Sequence, residues 1–164
     1  AGEPKWRSTM ETMKRIWSEI SQLTEDIYES RSLQGAFNVL MRRRYLGIGA
    51  FIAYEIITDL RHYPYFAVLT SDVHSWANIG PGCARGLRRL GFSPTLHGLR
   101  TLYTSLCPDF LTTRLADHWN INGRPKAWPP LELRELEHSL CEFDKYQRVK
   151  TGVGTPREKF NGRG

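Results

Sequence analysis

Cysteine is scarce in this chain and badly spaced for bridging. Cys83, Cys107 and Cys141 are odd in number, lie far apart and form no Cys-x-x-Cys pair. That pattern indicates neither a zinc ribbon nor a disulfide framework, and it fits a reducing cytoplasm. No apolar run approaches the roughly 20 residues of a membrane span, and no secretory leader opens the sequence. The five histidines are scattered without the spacing of a helical zinc site, and His138-x-x-Cys141 alone is too little, so no metal is expected. A Gly-x-x-x-x-Gly-Lys-Ser/Thr loop is absent, which excludes a P-loop kinase. Gly80-Pro81-Gly82 lacks the rest of a dinucleotide fingerprint, so no cofactor is expected either.

What is present is ordinary globular material with a basic bias. At 164 residues and 40% hydrophobic composition, one domain with a real core is affordable. The net charge of +6 favours a polyanionic partner. The excess is uneven: Arg148, Lys150, Arg157, Lys159 and Arg163 face only Glu158 in the last seventeen residues.

The stretch from Leu46 to Leu60 organises the rest. Gly47-Ile48-Gly49 is a short turn running into an apolar helix. Such a turn aims unpaired amides outward, and the helix dipole adds to their preference for an anion. A plain tight turn before a core helix is the other reading of the same residues. A side chain at Gly49 is expected to strain the turn. Ile48, Phe51, Ile52, Ile56 and Leu60 are expected to be buried. Glu55 and Asp59, four apart, share one face, either as structural ion-pair partners or as carboxylates lining a cleft.

Around this stretch the periodicity predicts helices. Residues 1–8 read as a loose lead-in. Met10, Met13, Ile16, Trp17, Ile20, Leu23 and Ile27 mark one helix over 9–30 with these residues inward. A second covers 32–43 and ends in Arg42-Arg43-Arg44, placed for phosphate contact or for a solvated helix end. Residues 62–70 read as a loop with a short extended piece at 66–69. Asn78-Ile79-Gly80-Pro81-Gly82 is a second turn, with Gly82 opening a helix over 83–90 that carries Arg85, Arg88 and Arg89. It is either another anion-binding terminus or a tight turn. Helices follow over 96–106, 110–119 and 132–148, with a Gly/Pro-rich loop over 120–130 and a flexible basic tail over 149–164.

Three separated segments carry a resemblance. They are Ala53-Tyr54-Glu55-Ile56-Ile57-Thr58-Asp59-Leu60-Arg61, Trp76-Ala77-Asn78-Ile79-Gly80-Pro81-Gly82-Cys83-Ala84-Arg85-Gly86-Leu87, and Glu137-His138-Ser139-Leu140-Cys141-Glu142-Phe143-Asp144-Lys145-Tyr146. In this order they resemble the helical domain associated with phage 5-hydroxymethyluracil DNA modification, over roughly residues 40–157. That family groups with the predicted α-glutamyl/putrescinyl thymine pyrophosphorylases, the amino acid:DNA transferases. The turn, buried helix and following Ser71-Asp72 are also similar to the helix-hairpin-helix DNA glycosylases.

The resemblance implies an all-α, helix-hairpin-helix glycosylase-like domain over 9–148. It implies transfer of an amine, an amino acid or a polyamine, onto a thymine methyl bearing pyrophosphate in double-stranded DNA. A monofunctional glycosylase acting on a modified pyrimidine and a non-catalytic DNA-binding module are the alternatives. In the glycosylase layout Asp72 stands at the catalytic place, or is an ordinary cap. Phe51 stands where bifunctional relatives carry a lysine, which speaks against Schiff-base chemistry. Glu55 and Asp59 are further candidate catalytic carboxylates. Trp76 and His74 are candidate base contacts, Trp76 by stacking or else simply buried. Arg85, Gly80 and Gly82 are expected to hold the leaving group. Gly47, Gly49, Arg42, Arg43, Arg44, Arg88, Arg89, Lys145 and Arg148 are expected to contact DNA. Several of Glu137, Glu142, Asp144, Lys145 and Tyr146 are expected to brace the last helix as an ion network. Family members carry a further helical region ahead of the first helix here, so an N-terminal region or a second protein chain is an expected partner.

Overall fold

A computed structural model describes residues 5–106, 120–121, 124–125 and 131–155. The expected helix over 110–119, Cys107, most of the 120–130 loop and the tail from 156 onward lie outside these residues. The described chain is all-α apart from a two-residue antiparallel pair, β1 (Asn120–Ile121) with β2 (Arg124–Pro125). Its contacts divide it into two compact units, Ala1–Asn78 and Ile79–Gly164.

The first unit holds α1 (Lys5–Ser18), α2 (Ile20–Glu29), α3 (Leu33–Arg43), α4 (Ala50–Leu60) and a 3₁₀ segment (Pro64–Asp72). The expected single helix over 9–30 begins earlier and is broken at Glu19, whose φ of −119° and ψ of 16° leave the helical region. The apolar period runs across the break, so it gave no sign of one. It also misassigns the first half. Leu23 and Ile27 are buried, but Trp6, Met10, Met13, Trp17 and Ile20 are exposed, Trp17 by 79%. The face of α1 that meets the protein is polar instead. Thr12 is buried and its hydroxyl donates to the Leu46 carbonyl at 2.7 Å.

Helix α3 starts where its capping residue predicts. Ser32 has extended backbone and its hydroxyl accepts from Gly35 N at 3.0 Å. Helix α4 buries Ala53, Tyr54, Ile57 and Thr58. This corrects the expected face: Phe51 and Ile52 are exposed, and Ile48, Ile56 and Leu60 are half-buried. The apolar residues surround the helix, so their pattern did not single out the face that packs.

The expected extended piece at 66–69 is 3₁₀ helix. Pro64 presets a helical φ at its start. With three residues per turn, Phe66 and fully buried Leu69 share one side of the segment.

The second unit holds α5 (Pro81–Arg89), α6 (Leu96–Leu106) and α7 (Leu133–Lys150). Leu99, Leu102, Leu133, Leu136 and Leu140 bury the apolar stripes of α6 and α7. Glycines let α5 lie close against α7. A Cβ on Gly82 would stand 3.0 Å from Cys141 Sγ, and one on Gly86 only 2.6 Å from the Leu140 carbonyl. The tyrosine hydroxyl of Tyr103 on α6 donates to the Leu131 carbonyl at 2.6 Å, tying α6 to the start of α7.

Candidate nucleic-acid interface

In the first unit the turn between α3 and α4 is built by two left-handed residues. Arg44 ends α3 at φ 51°, and Gly47 follows at φ 83°. Ile48 N closes the turn on the Tyr45 carbonyl at 3.1 Å. Gly49 is the N-cap of α4, with φ −86° and ψ −178°, which is extended backbone open to any residue. The expected strain therefore belongs to Gly47 alone. A Cβ at either glycine would meet nothing within 4 Å, and Gly49 has no side chain of its own to cap α4. Gly49, Ala50 and Phe51 are exposed, so the start of α4 borders solvent.

The arginine run before this turn splits. Arg42 and Arg44 are exposed. Arg43 turns inward and pairs with Glu19 and Asp26, and Arg15 donates to the Arg43 carbonyl at 2.9 Å. These partners, hydrogen-bonded Asp26 foremost, hold the Arg43 guanidinium above its ordinary pKa, and they occupy the group that was expected on a phosphate. Leu46 and Phe51 stand exposed at the edge of the turn.

Asp72 is a helix cap. Its Oδ1 accepts from Leu33 N at 2.8 Å and its Oδ2 from Gln34 N at 3.0 Å, so both oxygens serve the start of α3. Asp72→Ala should lower stability by about 1–2 kcal/mol, a fall in melting temperature of several degrees, with Asp72→Asn intermediate. Melting curves of the three proteins check this. Equal midpoints would mean that the cap carries no weight.

Trp76 is only 7% exposed, with its ring 5.5 Å from those of Phe37 and Tyr54. It is core, which corrects its candidacy as a stacking surface for an extruded base. His74 is exposed, Glu55 half-buried and Asp59 exposed.

In the second unit the Gly80-Pro81-Gly82 turn serves packing. Gly80, not Gly82, is the N-cap, and Pro81 occupies the first helical position. Gly82 lies against Cys141. Glu137 is buried beside Gly80, and burial pushes its carboxyl above the ordinary range. Cys141 Sγ donates to Glu137 Oε1 at 3.3 Å, and burial raises that thiol to about 12. Cys83, also buried, is raised further for the same reason. Neither thiol is a nucleophile near neutral pH.

The most ordered basic feature is the pair Arg85 and Arg89, one turn apart on α5. Arg85 Nε meets Asp144 Oδ2 at 2.7 Å, and Arg89 Nε meets Asp144 Oδ1 at 3.0 Å. Asp144 is fully buried. Burial alone would raise its pKa, but the two arginine bonds outweigh that and hold the carboxyl below its ordinary value. Asp144 is thus the anchor of the ion pairs on the last helix, where a bracing network was expected. It sits four residues after Leu140, in phase with the apolar stripe, which puts it on the buried side of α7. Arg88, Lys145 and Lys150 are exposed and Arg148 half-buried, while Lys145 pairs with Glu142 on its own helix. Among the described residues no group of three His, Cys, Asp or Glu is placed to hold a metal, and no helix is long and apolar enough to cross a membrane.

The family described as "5-hmdU DNA kinase, helical domain" matches residues 2–154. The chain belongs to this family. The expected tie to 5-hydroxymethyluracil DNA modification holds at that level, and the family description makes DNA and a kinase part of the domain's setting. No curated protein and no solved structure matches the chain.

Proposed function

We propose that the chain is a DNA-binding helical module for 5-hydroxymethyluracil modification, a helix-hairpin-helix that holds the duplex backbone for a separate catalytic part. The observation that carries this reading is the open turn at Gly47–Gly49 in a member of a DNA kinase's helical-domain family. The first amides of α4, at an exposed N-cap glycine, offer donors to a phosphate, and exposed Arg42 and Arg44 add charge beside them. Exposed Leu46 and Phe51 offer apolar contact to sugar and base edges.

The finer chemistry is weaker on geometry. Amine transfer onto 5-(pyrophosphoryloxymethyl)uracil needs a base to take the amine's proton. Glycosylase chemistry needs a free carboxylate at the same place. Asp72 commits both oxygens to α3, which favours the module over either enzyme.

Two assays decide among the three. Fluorescence anisotropy with duplexes carrying thymine or 5-hydroxymethyluracil should give binding to both, weakening steeply with salt. Nucleoside mass spectrometry of DNA carrying the activated base should show no change with any amine. A new nucleoside would restore the transferase reading, and a released base the glycosylase. Absence of duplex binding would sink the module.

A further inference from the structure

We propose that Arg85 and Arg89 form a phosphate-binding fork and that buried Asp144 is the positioning residue that aims it. A lone buried carboxylate needs one arginine to balance it. Here two guanidiniums share one carboxylate, so the cluster keeps a surplus positive charge. Like charges one helical turn apart repel, and Arg88 lies between them on a helix that has no acidic residue. The helix dipole accounts for Arg88 and Arg89 in the last turn. It does not account for Arg85, which is mid-helix.

The geometry is that of a prepared anion site. Each arginine meets Asp144 through Nε, leaving both Nη groups, with four N–H donors, outside that bond. The side chains are 44% and 34% exposed, so the outer edges reach solvent while the inner edges are fixed. Arginine normally loses about 2 kcal/mol of rotamer entropy when it is ordered. Here folding has already ordered both, which lowers the cost of binding. Planar forks of this kind match the paired oxygens of a phosphate. Arg148 lies one turn beyond Asp144 on α7 and extends the positive field.

The ligand chemistry is a phosphate group. It belongs either to the DNA backbone, in which case the inference rests on the DNA-binding reading above, or to a free phosphate chain. The test follows the arginine Nε signals in ¹⁵N NMR spectra of the parent protein, titrated separately with duplex and with tripolyphosphate. It also measures affinity for each in Asp144→Asn and in Arg85→Gln/Arg89→Gln, with folding checked by circular dichroism.

A backbone site predicts that duplex shifts the Arg85 and Arg89 signals. It also predicts that the double glutamine variant lowers the log–log salt slope by about 1.8. A free-phosphate site predicts that tripolyphosphate shifts those signals while the duplex slope is unchanged. Asp144→Asn separates positioning from simple charge. It adds one unit of positive charge, so electrostatics alone predicts tighter binding, whereas loss of aim predicts binding at least several-fold weaker. Parent signals that respond to neither probe would overturn the fork, and tighter binding by Asp144→Asn would overturn the role of Asp144. Should the duplex fail to bind at all, the DNA-binding reading falls, while the tripolyphosphate titration still decides the fork. The parent titrations need no variant to fold.

Discussion

Gly49→Val should keep the helical circular dichroism and nearly the parent melting temperature, yet lose at least tenfold in duplex affinity at moderate salt. The two halves of this expectation have separate causes. On the folding side, φ −86° and ψ −178° suit valine, and a Cβ there meets nothing within 4 Å. The cost is the poorer N-cap preference of valine, on the order of 1 kcal/mol. On the binding side, a branched side chain would fill the open space before the first amides of α4, where a phosphate must sit. Gly47→Val is a poorer probe, because φ 83° strains any side chain and mixes a folding defect with a binding one. Gly152 and Gly154, beyond α7, are poor controls, because Gly152 is itself left-handed at φ 72° and a Cβ on Gly154 would stand 3.1 Å from Arg148 Cβ. Parent-like affinity in Gly49→Val would make the turn a structural connection and remove the basis of the proposed function. Anisotropy across a salt series, with circular dichroism on the same samples, gives both readouts.

Local features were legible in the sequence. Ser32 before an apolar run marks the start of α3, and the observed Leu33–Arg43 lies within a residue of the expected span. Helix α6 runs over its expected residues, Leu96–Leu106, between a Ser-Pro-Thr opening and a following proline. The Gly-x-Gly turn is likewise local, and it was found. Long-range partners were not legible. Asp72 reads in sequence either as a catalytic carboxylate or as a cap, and the amides that decide for the cap lie 38 and 39 residues away. Arg43 reads as one of three equivalent arginines until Glu19 and Asp26, on other segments, claim it. Trp76 reads as an aromatic beside a basic helix, and only the packing of Phe37 and Tyr54 shows that it is core. Helix α4 failed for another reason. With apolar residues on every side, the period says that the helix is apolar and not which side is covered.

The largest structural effect should come from Gly86→Ala, and its sign tests how close α5 lies to α7. In an exposed helix interior this change stabilises, by roughly 1 kcal/mol, because alanine is the better helix former. Gly86 is buried in the middle of α5, and there a Cβ would stand 2.6 Å from the Leu140 carbonyl oxygen and 3.0 Å from Leu140 Cβ. The nearest atom is backbone inside an 18-residue helix, which cannot step aside as a flexible side chain would. Forcing extra volume into such a contact costs about 1–3 kcal/mol or more, and parting the helices also loses the packing of Leu87 and Leu140. The clash wins, and the net loss should be about 2 kcal/mol, a fall in melting temperature of roughly 4–8 °C. The same separation would draw Arg85 and Arg89 away from Asp144, which has no other charged partner among the described residues. A buried carboxylate that loses its pairs is costly, so Gly86→Ala should also weaken the pH dependence that Asp144 contributes. In the parent, the lowered Asp144 pKa adds stability that is present above the ordinary aspartate pKa and fades as pH falls through the lowered value. The variant should lose more stability at pH 7 than below the lowered Asp144 pKa, where that contribution has gone. A melting temperature that rises at pH 7 would mean that helix propensity governs and that the two helices do not touch at Gly86.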